Sequence, residues 1–151
     1  MALAGSVSAA GAKDIRGVLA LLRTVGLPTE GVNEHFDHLL VWRPPGRRSL
    51  KGCVGLEVYE ESAVLRSVAV DPEYQKQGIG TELVQAVEEH ARTQRVRVLY
   101  LLTTTAEAFF AQRGYTRTDR DSVPQSVAQS IEFRSICPKS AVCMSRVLEP
   151  W

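Results

Sequence analysis

The stretch Val68-Ala69-Val70-Asp71-Pro72-Glu73-Tyr74-Gln75-Lys76-Gln77-Gly78-Ile79-Gly80 decides the fold, because strand-like sequence turns helical across one short polar loop. Ahead of the loop, Ala63 to Val70 is β-branched and apolar enough for a buried strand. Beyond it, Ile79, Leu83, Val87 and Ala91 lay one apolar stripe along a helix, with Glu88 and Glu89 on its polar side. Val96 to Leu102 is a second apolar run, so strand, loop, helix and strand together predict a right-handed βαβ crossover. Glycine at 78 and 80 lets backbone approach a ligand without a Cβ collision, and the helix start adds N–H groups and a positive dipole end. A diphosphate fits such a site. Two named phosphate loops do not describe it: Gly78-Ile79-Gly80 lacks the third glycine of the dinucleotide fingerprint and is not followed by Gly-Lys-Ser/Thr.

Outward from this centre, Ile15, Val18, Leu19 and Leu22 fall at helical spacing behind Asp14 as N-cap, and Gly26 and Pro28 supply the stop. Thr29 to Phe36 predicts a short second helix. His38 to Trp42 reads as a strand, ended by Pro44-Pro45-Gly46, and Leu50 to Tyr59 as its hairpin partner. On the other side, Ala106 to Arg113 predicts a short helix closed by Gly114, then a strand near Tyr115, a helical turn opened by Pro124, and a last strand from Ala141 to Leu148. Gly5 to Ala12 has room for a weak first strand, but its composition is too bland to commit to one. The fold class is α/β (α+β): one domain over residues 1–151, with a mixed, largely antiparallel sheet flanked by helices.

The chain has 151 residues, 44% of them hydrophobic and 23% charged, which is ordinary globular composition. A net charge of +1 points to no polyanionic partner, and Arg47, Arg48 and Lys51 follow a turn, so nucleic-acid binding is not expected. No apolar run approaches the roughly 20 residues of a spanning helix. Met1 to Ala12 lacks the basic and apolar regions of a secretory signal, and three cysteines fit a reducing compartment, so the expected location is cytoplasmic. His35, His38 and His90 show no paired spacing, and no metal is expected.

The opening stretch resembles the central motif of the GNAT superfamily of N-acetyltransferases, Arg/Gln-x-x-Gly-x-Gly/Ala after a strand, here met by Gln75, Gly78 and Gly80. A second family segment, Ala-x-x-Phe-Tyr-x-x-x-Gly-Phe, resembles Ala106-Glu107-Ala108-Phe109-Phe110-Ala111-Gln112-Arg113-Gly114-Tyr115. Within the superfamily, Leu27 to Val32, Leu99 to Thr105, Glu132-Phe133 and Cys137 to Met144 are similar to the N-acetyltransferases of arsenic-resistance operons. The resemblance implies acetyl-CoA as co-substrate and a small amine, amino-acid-like or organoarsenical, as acceptor.

It implies further that strands Val64 to Val70 and Val96 to Thr103 splay apart to admit the pantetheine arm. The cofactor contacts would be Val68, Ala69, Val70, Gln75, Lys76, Gln77, Gly78, Ile79, Gly80, Thr81, Phe109 and Phe110, with the Val68 N–H as oxyanion donor. An acceptor ammonium must lose a proton, and Glu57, on a neighbouring strand, is the expected base. Arg66 is a cation inside an apolar strand and must reach the strand edge or find a carboxylate; an acceptor carboxylate would serve. Glu30 and Glu132 are further acceptor-binding candidates. The family's general acid, a Tyr, is Phe110 here, and a thiol pKa of about 8.5 lets the thiolate leave with solvent help. Cys53, Cys137 and Cys143 read as buried cysteines. A catalytically silent acyl-CoA sensor and a thiol-based arsenical binder are the alternatives, and the apolar last strand offers a sheet edge for a homodimer.

Overall fold

A computed structural model of the chain describes residues 5–136 and 138–148, so Cys137 lies outside the described residues. The strands are β1 (Ser6–Ala9), β2 (Leu39–Arg43), β3 (Gly52–Tyr59), β4 (Ser62–Val70), β5 (Val98–Thr103), β6 (Thr116–Arg117) and β7 (Val142–Val147). They form one sheet in the order β1-β2-β3-β4-β5-β7-β6, flanked by helices α1 (Ile15–Val25), α2 (Ile79–Thr93), α3 (Glu107–Ala111) and α4 (Gln125–Ala128). The expected mixed, largely antiparallel sheet is present, with β4 and β5 its parallel pair. Among the described residues no helix is long and apolar enough to cross a membrane.

The chain forms two compact units, one of residues up to Leu56 with Ser67–His90, the other of Glu57–Arg66 and the residues from Ala91 onward. In the first, α1 ends where Gly26 takes the left-handed conformation that a C-terminal stop requires (φ 77°). Its Val18, Leu21 and Leu22 pack with Val32, Leu39, Val41, Cys53 and Ala69. Asp14 stands at the N-cap but makes no cap bond there; it accepts from the Gly11 N–H at 2.7 Å and pairs with Arg43 on β2. That ion pair ties the helix start to the sheet. The unassigned N-terminal segment is strand β1, registered on β2 from Ser6↔Arg43 to Ala9↔Leu40. The predicted second helix is a 3-10 turn displaced to Asn33–His38.

Along α2, Leu83, Val84, Val87 and Ala91 are all buried. Glu88 corrects the sequence reading: expected on the polar side, it is 4% exposed. Val84 widens the apolar stripe, and position 88 sits one turn beyond it, on the same face. His38 and His90, unpaired by sequence spacing, meet in space, with Nδ1 of one 2.9 Å from Nε2 of the other. Trp42 on β2 stands edge-on to Tyr74, ring centroids 5.8 Å apart.

In the second unit, β4 and β5 pair in parallel from Ser62↔Val98 to Val64↔Tyr100, while β5 continues to Thr103 against β7. The core here joins Val64, Val123, Val127, Phe133 and Cys143 with Tyr59, Tyr100 and Leu102. Tyr115 is buried edge-on to Phe110, as packing predicts. The last strand is not a sheet edge: β7 lies between β5 and β6, because the strand near Tyr115 returns to cover it at Thr116↔Ser145 and Arg117↔Met144. The expectation of pairing through an edge at β7 is therefore corrected. Residues Glu132–Ile136 form a π-helical turn that the sequence did not signal.

Two predictions follow from the first unit. A Cβ on Gly52 would lie 3.0 Å from Leu83 Cδ1, 3.3 Å from Trp42 Cβ and 3.4 Å from the Ala69 carbonyl. Gly52→Ala will therefore lower stability by about 1–3 kcal/mol in urea titration, through overpacking. Burial pulls His38 and His90 below their ordinary value of 6.5; for His38, Asp37 opposes and His35 adds to the shift, and for His90 the adjacent His38 adds to it. Protons thus bind the unfolded chain more readily, so this contribution is complete above pH 6.5 and is lost as pH falls through the folded values. The melting temperature should drop on acidification below that point, and His90→Gln should flatten the drop.

Candidate active site

The loop after β4 is built by local polar contacts. Asp71 accepts from the Glu73 N–H at 3.0 Å and starts a 3-10 turn over Pro72–Tyr74, as short aspartate side chains do at such turns. Asp71 also pairs with Lys51, 3.8 Å away. The Gln75 amide then donates to the Val70 carbonyl at 2.9 Å, folding the loop back on the strand end. Lys76 and Gly78 both adopt left-handed backbone, with φ of 67° and 84°. A left-handed lysine costs about 1 kcal/mol or more, so the surrounding loop must hold it there.

Gln75 to Gly78 are exposed, and a Cβ on Gly78 would meet nothing within 4 Å. Immediately after, Ile79 is buried as the first residue of α2, which fixes the helix start against the core. A helix start leaves its first N–H groups without intrahelical acceptors, and left-handed residues ahead of it turn further amides into a concave nest. Both features favour an anion. The sequence expects Gln75, Lys76, Gln77, Gly78, Ile79, Gly80 and Thr81 at one phosphate-binding turn; the structure runs them consecutively through the loop and into the start of α2.

Upstream, β4 is irregular. Ser67 has φ 61° inside the strand, a β-bulge, after which Val68 and Val70 are half-buried and Ala69 is buried.

The second unit holds a buried charged cluster. Arg66 Nη1 donates to Glu57 Oε2 at 2.7 Å, and Arg66 Nε lies 3.3 Å from Glu132 Oε1. Tyr59 donates to the other Glu57 oxygen at 2.6 Å. Glu57 is fully buried, and the Arg66 side chain is 2% exposed. Burial, and then the hydrogen bond and charge of Glu57, push the Tyr59 phenol well above its ordinary value of 10, so it stays a proton donor to that carboxylate. The requirement that Arg66 find a carboxylate is met within the chain. β3 is buried on both faces from Gly52 through Glu57, so alternation alone does not set where Glu57 faces.

Three predicted acceptor-side residues, Glu57, Arg66 and Glu132, thus converge, while Glu30 is exposed and belongs to the first unit. Tyr59 is a member of the cluster that the sequence reading missed; its spacing of two from Glu57 on a strand was the available signal. Phe109 is half-buried under the Arg113 guanidinium, 3.6 Å from its ring centroid, and Phe110 is buried beside it. Cys53 and Cys143 are buried, with thiols pushed up to about 12 and about 11, chiefly by burial. Among the described residues no three His, Cys, Asp or Glu side chains gather in a way that could hold a metal ion.

The chain is 28% identical over 134 residues to an amino-acid acetyltransferase of Pseudomonas paraeruginosa, covering 83% of this chain and 31% of that protein. It is 35% identical over 74 residues to an amino-acid acetyltransferase of Pseudomonas syringae pv. tomato, covering 49% of this chain and 17% of that protein. The chain thus spans a third or less of these relatives. Among solved structures, N-acetylglutamate synthase from Neisseria gonorrhoeae, complexed with coenzyme A and L-arginine, superposes with a TM-score of 0.81 at 24% identity over 99% of this chain and 34% of that one. A Mycobacterium tuberculosis protein in complex with CoA and NLQ gives a TM-score of 0.77 at 24% identity, over 95% of this chain and 99% of that one. The acetyltransferase (GNAT) family model matches residues 23–117, well over half of the sequence and across both β4 and the glycine loop. This chain belongs to the GNAT acetyltransferase family.

Proposed function

We propose that residues 1–151 work as one N-acetyltransferase domain that moves the acetyl group of acetyl-CoA to the amine of a small, amino-acid-like acceptor. The observation that carries this reading is the turn at Gly78: exposed, left-handed, open in front and set at the start of a long helix. Its amides receive the CoA diphosphate. Val68, Ala69 and Val70 then offer β4 backbone to the pantetheine arm, and Phe109 and Phe110 lie along the cofactor. Support comes from family membership and from relatives named for amino-acid acetylation.

In the transfer, the neutral amine attacks the thioester carbonyl carbon and the oxyanion that forms is met by the Val68 N–H. The C–S bond then breaks. The nitrogen gives up its second proton to solvent, and CoA leaves as thiolate and takes a proton from solvent, in keeping with Phe110 where the family carries a Tyr. The proton lost by the acceptor ammonium goes to Glu57. Arg66 and Glu132, paired with each other at 3.3 Å, would exchange that contact for the carboxylate and ammonium of an amino acid. Glu30 is a further acceptor contact. Organoarsenical amino-acid analogues fall within this acceptor class, and the resemblance to the arsenic-resistance subgroup puts them on the panel. Capture of a metalloid by thiols draws no support from Cys53 and Cys143, which are buried and held protonated. We place the enzyme in the cytoplasm, and a homodimer, if formed, would not use an edge at β7.

Acetyl-CoA should raise the melting temperature of the chain in proportion to the logarithm of its concentration. Gly78→Val should remove that shift, because a β-branched residue fits neither the left-handed backbone nor a ligand packed against it. No shift with the unaltered chain would sink the assignment. A shift without CoA release across a panel of amino acids would instead identify an acyl-CoA sensor. Glu57→Gln should cut kcat by about 100-fold or more while leaving CoA affinity in place. Arg66→Met should cost about 3–5 kcal/mol in urea denaturation, since it leaves two carboxylates buried without their cation.

A further inference from the structure

We propose that Cys53 is a positioning residue for acetyl transfer: its thiol holds the bulge of β4 in the shape that presents the Val68 N–H to the reacting carbonyl. The inference rests on the transferase reading above, and it concerns backbone geometry, with no ligand bound to the sulfur.

A bulge interrupts the ladder between two strands and leaves backbone groups that must find other partners. At Ser67 the partner comes from a side chain. The Cys53 thiol, fully buried on β3, donates to the Ser67 carbonyl at 3.3 Å. The Ser67 carbonyl and the Val68 N–H belong to one planar trans peptide unit and point in opposite directions, so the Val68 N–H faces away from Cys53. What the sulfur fixes on one side sets the aim of the Val68 N–H on the other.

Burial keeps the thiol at about 12, so the proton needed for the bond to Ser67 is present throughout the neutral range. The same protonation makes the sulfur a poor nucleophile and a poor metal ligand. Its neighbours Val41 and Ala69 belong to the apolar core of the first unit, which explains why the group that bridges the bulge is a thiol instead of a more polar hydroxyl.

The test compares the full chain with Cys53→Ala and Cys53→Ser, using acetyl-CoA and an amino-acid panel. CoA affinity is measured by calorimetry and kcat by CoA release. Cys53→Ala should lower kcat by roughly tenfold to a hundredfold, the scale of a misplaced oxyanion donor. CoA affinity should stay within about twofold, because the diphosphate is held by a different segment. Cys53→Ser, which keeps a donor for the Ser67 carbonyl, should recover most of the lost turnover. An unchanged kcat in Cys53→Ala, a serine variant as slow as the alanine one, or CoA affinity falling in step with kcat overturns the proposal. An unaltered chain that neither binds acetyl-CoA nor releases CoA overturns the transferase reading and the positioning role together. An active chain with an equally active Cys53→Ala overturns the positioning role alone.

Discussion

A guanidinium inside a β-strand, with only 2% of its side chain exposed, must be met by carboxylates, and meeting that need organises the second unit. Glu57 comes from β3, Arg66 from β4 and Glu132 from the π-helical turn, so one cation ties three segments far apart in sequence. Tyr59 completes the shell by donating to the Glu57 oxygen that Arg66 Nη1 does not take. Such a cluster is costly to bury and gives little net stability. Its persistence in an otherwise apolar run argues for a use beyond holding the strands together.

Strand β4 carries nearly every functional group in succession. Its first half pairs in parallel with β5 and ends at Arg66; the very next residue, Ser67, breaks regular backbone. Val68 to Val70 follow, and the Gln75 amide then clips the loop to the Val70 carbonyl before the chain turns into α2. Charge cluster, bulge and anion turn are thus spaced along one short piece of chain.

Most of the fold was legible because it rests on periodicity. The change of period at Gly78, the stop at Gly26 and the apolar runs of β2 to β5 were read to within a few residues of their ends. The turn before α2 was legible for the same reason: Gly78, left-handed in the structure, stands at the change of period. What escaped was tertiary in origin. β1 is an edge strand whose small residues carry little propensity, and it is a strand because β2 supplies its partners. The π turn at Glu132 and the His38–His90 contact join residues with no periodic relation. Glu88 was misassigned because Val84 enlarged the buried face of α2. For Glu57 and Arg66 the residue types were telling, but only three dimensions show that they answer each other.

The edge-on contact of Trp42 with Tyr74 sets an optical reporter beside the loop. Trp42 is buried, with Tyr74 against its ring and Gln75 next along the chain. A ligand held by the loop would change the surroundings of Tyr74 and, through it, those of the indole. The chain's second tryptophan, Trp151, also emits, so in Trp151→Phe the emission of the Trp42 ring alone would follow occupancy without a label.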